Sequence, residues 1–580
     1  MKAIARPLAL ALAAGMLMGI SPPNQDHASA GLHAGHGSGL HRAHSMRMML
    51  AMSAAVVQPS NVDAIQLYDG LGTLDFPVTT SNPVAQRYFS QGMAFAYGFN
   101  HAAAIASFRE AQRLDPKCAM CWWGEAFAHG PNINAPMNAA ANARAVGAAN
   151  YANWLAGQAA PAERTLTAAM IKRYSLDPRA DRVALDAAFA DAMLAAAAAH
   201  PAHDDIALLA AEAAMNTKPW DYWTVDKQPN QRIGDAVQLV ETVLARSPRH
   251  PQAAHLYIHL MENGPDPKRA EAAADRLVPL APNAGHLVHM PAHIYYLLGR
   301  WQDSIRANVA AARADEAWIK ASGDQGLVRY GYYPHNVHFI VTSAQMAGEM
   351  PTAIREARKL ESILDPKISS QIAWIQAVNA APFFAAAQFA SPARILAMRA
   401  PDARLPYPVA MRFYARAVAR AQQRNSAGFE QELAKLRAMR SSPDLEPMIA
   451  QGVPARDLLH LAETVARARW ASANGRSSEA VRLFREAAAI EQKIPYMEPP
   501  FWYFPVHQSL GAALYRAGRY GEAREAFETA LRQSPNNGWV LYGLAASQRA
   551  LGRRTQAETA NAAFEKAWSG NRAWLRMDRL

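Results

Sequence analysis

The sequence predicts an all-α fold in which helical hairpins stack into one continuous solenoid. Three observations support this prediction: alanine is abundant along the chain, small and aromatic residues recur at regular intervals, and no section is rich in strand-forming residues. Alanine is the best helix former and lets neighbouring helices approach closely. One hairpin cannot bury its own apolar face, whereas stacked hairpins can, so a single superhelix over residues 76–580 is favoured over several separate domains.

The regular interval matches the tetratricopeptide repeat, a helical hairpin of about 34 residues with small residues at the helix contacts and one large aromatic residue that fills the gap between them. A repeat late in the chain fills these positions with Gly511, Gly518, Ala523, Phe527, Ala530 and Pro535. A repeat early in the chain follows the same frame with Gly92, Ala104, Phe108, Ala111 and Pro116. In that early repeat Phe99 replaces the usual turn glycine. The predicted fold is therefore a tetratricopeptide-type α-solenoid.

Residues 1–30 have the features of a signal peptide. Lys2 and Arg6 give a positively charged start, residues 7–20 are apolar, and residues 28–30 read Ala-Ser-Ala, as at a cleavage site. We therefore expect an exported protein, either periplasmic or secreted. No later stretch of about 20 apolar residues is free of charge, so the sequence predicts no membrane span.

Residues 31–75 are predicted to form a flexible leader that is rich in histidine and methionine. Its potential metal ligands are His33, His36, His41, His44, Met46, Met48, Met49 and Met52. Imidazole and thioether groups both bind copper, and thioether favours Cu(I). A low-complexity leader with no role is the alternative interpretation.

Seven further histidines lie on the predicted first helices of three consecutive repeats. They are His255, His259, His286, His289, His293, His335 and His338. Spacings of three and four residues place side chains on one face of a helix, and in stacked repeats the first helices line the concave surface. We therefore predict that these histidines face one groove.

Two of these repeats carry histidines at equivalent positions. His286 and His335 lie equally far before the turn glycines Gly299 and Gly348. The same holds for His289 and His338, whereas the register of His255 and His259 is ambiguous because their turn has one extra residue. A histidine set that repeats with the hairpins indicates a site.

Neutral imidazoles that converge from facing helices are good ligands for a transition metal. Glu262 lies one turn beyond His259 and could add a carboxylate, while His101 and Cys118 are secondary candidates. Copper is favoured over zinc or iron because of the predicted export and the leader composition. An open coordination position would permit catalysis, so the sequence leaves open whether the protein is an enzyme.

Pro291 lies among His286, His289 and His293, and its position allows two interpretations. A proline inside a helix removes one backbone hydrogen bond and costs about 3 kcal/mol, and such strain is often kept at functional sites. Alternatively, Pro291 is the first residue of a helix that starts late, which is unstrained. The second interpretation would move His286 and His289 into a loop.

The main alternative function is an interaction scaffold whose concave groove binds a peptide or partner protein without metal. A metal store without a reaction is a third hypothesis. The net charge of +11 is spread along the chain without a clustered basic face, so we predict no nucleic-acid binding. The sequence contains no nucleophile elbow, phosphate loop, dinucleotide fingerprint or His-Glu-x-x-His motif, which disfavours the corresponding chemistries.

Several long segments between about Tyr88 and Trp568 resemble a family of bacterial tetratricopeptide repeat proteins, many of them exported. They include CAMCWWG, HLVHMPAHIY, YYPHNVHF and YMEPPFWYFPVHQSLGAAL. The resemblance implies that these are hallmark segments of the family, and it covers nearly the whole chain after the leader. Similar sequences have alanine in place of Cys121, which implies that Cys118 matters more than the pair and argues against a disulfide.

Overall fold

The computed structural model describes residues 65–580, and within this range the fold is helical with no β-strand. The only β-type pairings in the described residues are isolated bridges between Asn132 and Ala135 and between Trp223 and Pro229. The all-α solenoid predicted from the sequence is confirmed. The predicted signal peptide and the histidines and methionines of the leader lie outside the described residues.

The α-helices follow one another with short connections, and we number them in chain order. They are α1 Pro83–Tyr97, α2 His101–Leu114, α3 Ala119–His129, α4 Asn142–Leu155, α5 Pro161–Met170, α6 Arg182–Ala199, α7 Asp204–Asn216, α8 Ile233–Arg246, α9 Pro251–Glu262, α10 Glu271–Leu280, α11 Gly285–His289, α12 Pro291–Leu297, α13 Trp301–Ser322, α14 Tyr333–Ala347, α15 Met350–Ile363, α16 Pro366–Gln371, α17 Ala373–Val378, α18 Ala381–Phe389, α19 Pro392–Leu396, α20 Pro406–Gln422, α21 Ser426–Arg440, α22 Glu446–Ala450, α23 Ala455–Ala473, α24 Ser477–Glu491, α25 Val506–Arg516, α26 Tyr520–Gln533, α27 Gly538–Ala550 and α28 Arg554–Ala567. A π-helical turn, Val328–Tyr332, leads directly into α14.

The repeat pattern has a clear packing basis. The buried ring of Phe108 on α2 fits against Gly92 on α1 and Gly124 on α3, where an added Cβ would lie 2.6 Å and 2.3 Å from the ring. Phe527 makes the same arrangement on α26 with Gly511 and Gly543, on the helices before and after it. The aromatic residue of each repeat therefore fills a gap that exists because its neighbours have no side chain.

The segment before α1 packs against the solenoid. Ile65 and Leu71 are buried, and the ring of Tyr68 lies 5.2 Å from that of Trp318 on α13. The backbone N–H of Asn283 donates to the carbonyl of Gly70. Residues 65–75, which the sequence analysis assigns to the leader, thus lie against the solenoid in the described structure.

The last hairpins fold back onto the middle of the chain. The indole N–H of Trp539 on α27 donates to the carbonyl of Gln345 on α14, and that of Trp301 donates to the carbonyl of Asn536. Gly348, in the turn after α14, packs against Trp568. The histidine-bearing helices α9 to α14 are thereby enclosed. Among the described helices, none combines the length and apolarity that crossing a membrane requires.

Candidate metal centre

Four helices carry the seven histidines. His255 and His259 are on α9, His286 and His289 on α11, His293 on α12, and His335 and His338 on α14. Gly299 and Gly348 both adopt positive φ, as expected for the turn glycines of their repeats.

Pro291 separates α11 from α12 and is the first residue of α12. The interpretation of a late-starting helix therefore fits the structure. Its expected consequence does not follow, because His286 and His289 lie in the separate short helix α11 and not in a loop. Proline is unstrained at this position, since the first helical N–H has no intrahelical acceptor.

Six of the seven imidazoles gather into two groups. We call His255, His259 and His286 the first triad, and His289, His293 and His335 the second triad. Within each triad, one ligand atom from each residue lies within 4.8 Å of the others. The Nε2 atoms of His255 and His286 are 3.2 Å apart, and those of His289 and His293 are 2.8 Å apart. The two triads adjoin, with ring centroids of His286 and His289 6.2 Å apart.

The outward nitrogen of four of these rings faces a side-chain oxygen. Nδ1 of His255 lies 2.9 Å from Oε1 of Gln252, and Nδ1 of His289 lies 2.7 Å from Oδ1 of Asn308. Nδ1 of His259 lies 2.7 Å from Oε1 of Glu262. Metal-binding histidines are commonly oriented in this way, by a hydrogen bond from the nitrogen that does not bind the metal.

His293 faces two carboxylates. Its Nδ1 lies 2.5 Å from Oε2 of Glu262 and 2.7 Å from Oε2 of Glu498. Glu498 comes from the loop between α24 and α25, and it also accepts a hydrogen bond from Tyr496. Glu262, His293 and Glu498 form a third group of atoms within ligand distance of one another.

The remaining candidates lie apart from these groups. His338, the repeat equivalent of His289, is bonded through Nε2 to the hydroxyl of Tyr503 at 2.7 Å and belongs to neither triad. His101 lies 3.1 Å from the amide of Asn132. Cys118 forms a disulfide with Cys121 and caps α3, which differs from the expectation drawn from the family resemblance.

The triads are buried, whereas the sequence analysis placed them on a concave groove. The first five histidines, up to His293, are each no more than 6% exposed. Phe99 packs on the first triad, 4.7 Å from the His255 ring, and Trp220 lies 5.3 Å from the His259 ring. The π-helical turn places Tyr332 against His286. Residues 492–505, which we call the covering loop, close the side of Glu498.

Burial sets the charge of these rings. It lowers the pKa of His255, His259, His286 and His289 well below the ordinary value, with neighbouring histidines adding to the effect for His255 and His259. Burial also lowers the pKa of His293, but the carboxylates of Glu262 and Glu498 outweigh it and raise the pKa to about 10. The first four rings are therefore neutral at pH 7, the form that offers a lone pair to a metal.

Two buried imidazole nitrogens of the first triad have no hydrogen-bond partner among the described residues. They are Nε2 of His259 and Nδ1 of His286. Buried polar groups are nearly always hydrogen-bonded, and unsatisfied ones are costly. Metal-ligating atoms in this state fit a cation site.

A cavity of about 270 Å³ reaches the centre from the side of the covering loop. Glu498 forms part of its wall, and several aromatic side chains form other parts of it. They include Trp220, Trp223, Tyr296, Trp301, Tyr496 and Trp502. The cavity gives a small molecule or an apolar side chain a place next to the carboxylate of Glu498.

Comparison with known proteins identifies the repeats. Models of the tetratricopeptide repeat match residues 85–118 and residues 514–567. The chain contains tetratricopeptide repeats. These matches coincide with the two hairpins in which Phe108 and Phe527 fill the gap between glycines. A search of curated proteins finds no match to the chain.

Solved tetratricopeptide structures align with low similarity. Human IFIT1, solved as a dimer with m7Gppp-AAAA, is 10% identical with a TM-score of 0.27, covering 90% of this chain and 94% of its own. Yeast Tom70 is 11% identical with a TM-score of 0.27, covering 85% and 94%. At TM-scores this low, the alignments carry no inference about function.

Sequence reasoning did not assign three residues of the site. Glu498 lies in a segment that was singled out only by the family resemblance, and nothing in its spacing connects it to Glu262. Gln252 lies three residues before His255, so a search for oxygen acceptors on the same helix face could have found it. Asn308 lies on α13, which carries no histidine, and no local signal marks it.

Proposed function

We propose that this protein is a tetratricopeptide repeat scaffold whose interior binds a transition metal, with copper preferred to zinc or iron. The observation that carries the proposal is the convergence of six imidazoles and two carboxylates from α9, α11, α12, α14 and the covering loop. A set of buried neutral imidazoles suits copper, zinc and iron, and among divalent ions copper binds such donors most tightly.

The oriented rings support a metal site over a generic polar core. The amide of Asn308 donates to the carbonyl of Ser304 at 2.9 Å, which leaves its Oδ1 as the acceptor for His289. The amide of Gln252 donates to Glu212 at 3.0 Å and leaves its Oε1 for His255. Both histidines must therefore carry the proton on Nδ1 and present an Nε2 lone pair to the centre.

The experiment is elemental analysis of the purified protein after exposure to copper, zinc and iron salts. We expect bound metal, with copper retained best, and its loss in the double variant His286→Ala/His289→Ala while the helical circular dichroism stays unchanged. His200→Ala is the matched control, because the His200 ring lies 3.1 Å from the Thr165 hydroxyl and belongs to neither triad. A wild-type protein that retains no more metal than the double variant would contradict the proposal.

The aromatic cavity beside Glu498 extends the proposal to a metal-dependent reaction on a small substrate. A triad of imidazoles leaves a coordination position open, as in catalytic metal sites. The cavity gives that substrate access without crossing the packed helices. Metal-dependent turnover of a small substrate would support an enzyme over a metal store. That turnover should disappear when a bulky molecule fills the cavity beside Glu498.

The second candidate is a scaffold that binds a peptide or partner protein without metal. The same cavity supports it, since an aromatic pocket of this kind can seat an apolar side chain. This candidate predicts that partner binding is lost in Trp223→Ala and is unaffected by chelators. The metal proposal predicts that a chelator changes the thermal stability of the protein even without a partner.

We also propose that the protein is exported. The charged start, apolar stretch and small-residue cleavage site of residues 1–30 support this. Cell fractionation and determination of the mature N-terminus provide the test, and a cytoplasmic protein that keeps residues 1–30 would contradict it.

A further inference from the structure

The geometry points to two metal ions in this centre, one in each triad. This inference rests on the proposed metal binding and adds its stoichiometry and arrangement. Because the two statements fail in different ways, one experiment can separate them.

The distances within each triad fit a single ion. A metal–nitrogen distance of about 2.0–2.1 Å in a tetrahedral site places two ligand nitrogens roughly 3.3 Å apart. The Nε2 atoms of His255 and His286 are 3.2 Å apart, and those of His289 and His293 are 2.8 Å apart. The first triad thus holds two nitrogens at the separation of ligands on one ion, and in the second triad they lie somewhat closer together.

Each triad also has its own set of orienting groups. In the first triad, an amide oxygen of Gln252 holds His255 and a carboxylate oxygen of Glu262 holds His259. The second triad repeats this scheme, because an amide oxygen of Asn308 holds His289 and carboxylates face His293. Two histidines of each triad are therefore oriented by side-chain oxygens, and this repeated scheme matches two ions.

Glu262 connects the triads. Its Oε1 faces Nδ1 of His259 and its Oε2 faces Nδ1 of His293, at 2.7 Å and 2.5 Å. Together with Glu498 it brings two buried carboxylates to the centre, and no Lys or Arg is paired with either in the described residues. Metal cations in the centre would offset the charge of these buried carboxylates, which are costly to keep unpaired.

The test counts Cu²⁺ ions in the full-length protein after removal of loosely bound metal. The leader histidines His33, His36, His41 and His44 are replaced by alanine, so that they do not bind Cu²⁺. The leader methionines are kept, because thioethers bind Cu²⁺ weakly. We expect two ions per chain in this background and one ion in each of the variants His255→Asn and His289→Asn. His338→Asn is the matched control and should keep two, because His338 is bonded to Tyr503 outside the triads.

A second readout separates a binding defect from a folding defect. Two Cu²⁺ ions in adjoining triads broaden each other's electron paramagnetic resonance signal, since ring centroids across the triads are as close as 6.2 Å. His255→Asn and His289→Asn should each give the narrow resonance signal of one isolated Cu²⁺ ion. Circular dichroism shows whether a variant that loses metal is still folded. His259→Gln and His335→Gln repeat the test at a second histidine of each triad.

Four outcomes decide the inference. Two ions that fall to one in either triad variant, with the narrowed signal, support it. One ion in the parent protein overturns it and leaves the proposed metal binding intact. Two ions that persist in both variants, or that are both lost from either one, overturn the assignment of one ion to each triad. No bound copper in the folded parent overturns this inference and the proposed function together.

Discussion

Glu491, the last residue of α24, closes the base of the covering loop, and its replacement by glutamine tests how that loop is held. The Glu491 carboxylate accepts the backbone N–H of Val506 through both oxygens, at 3.0 Å and 3.1 Å. Burial raises the pKa of Glu491 from its ordinary value of 4.5 to about 8. The folded protein therefore keeps this carboxyl protonated at neutral pH.

The direction of the pH effect follows from the raised pKa. Below about pH 4.5 both the folded and unfolded chains carry the proton, and the stabilisation is complete. As pH rises toward 8 the unfolded chain gives up the proton while the folded chain retains it, so the free energy of unfolding falls by about 1.4 kcal/mol per pH unit. Between pH 6 and pH 8 this group alone removes ~2 kcal/mol.

Glu491→Gln keeps an acceptor oxygen for Val506 and has no proton to lose. We expect its free energy of unfolding, measured with urea from pH 6 to pH 9, to fall less steeply than that of the wild type. Hydrogen–deuterium exchange in the covering loop, after correction for the intrinsic pH dependence of amide exchange, should show protection that falls with pH in the wild type and stays constant in the variant. Glu486→Gln is the matched control, because Glu486 lies on the same helix but is exposed and paired with Arg482. Parallel pH profiles for wild type and Glu491→Gln would refute the reasoning.

Three further predictions concern packing, charge and access. Gly124→Ala should destabilise the protein by about 1–3 kcal/mol in urea unfolding, since its Cβ would lie 2.3 Å from the ring of Phe108. Gly147→Ala is the control and should stabilise helix α4 by about 0.5–1 kcal/mol, because no atom lies within 4 Å of its Cβ. A similar effect of both substitutions would contradict the packing argument. Burial alone would raise the pKa of Glu125, but hydrogen bonds from His129, Arg144, Gln112 and Arg109 lower it. Glu125→Gln should therefore lower the free energy of unfolding by about 3 kcal/mol at pH 7, and by progressively less as pH falls below about 4.5. A difference that stays constant across pH would be the contrary result. Trp220→Ala should speed removal of bound copper by a chelator without changing the number of ions, and an unchanged rate would show that metal leaves by another route.

The fold was predictable because its signal is local and repeated. The contacts of Phe108 with Gly92 and of Phe527 with Gly511 follow from residue spacing alone, and so do the turns at Gly299 and Gly348. The contacts with Gly124 and Gly543, on the following helices, were not predicted. Each hairpin buries its face against the next, so a pattern within one hairpin already constrains its neighbours. The return of the last hairpins onto α14 was not predicted, because it depends on the curvature summed over many repeats.

The site was predictable only where it follows the helix period. A spacing of four brought His255 next to His259 on one face of α9, as expected. His289 and His293 also lie close together, although Pro291 divides them between α11 and α12. Repeat equivalence failed for His338, whose position matches that of His289 but whose ring turns to Tyr503 in the covering loop. Glu498 joins the centre through a contact between distant parts of the chain, which no periodicity within a helix can specify.

The covering loop also sets an order of events during synthesis. A polypeptide is made and delivered amino-terminus first, so the helices that carry the histidines emerge long before Glu498 and Tyr503. Until the loop arrives, the side of the centre that Glu498 closes stays open, although Phe99 and Trp220 can already cover the first triad. The covering loop then closes that side, so a metal bound at the proposed centre would enter more easily before the chain is complete.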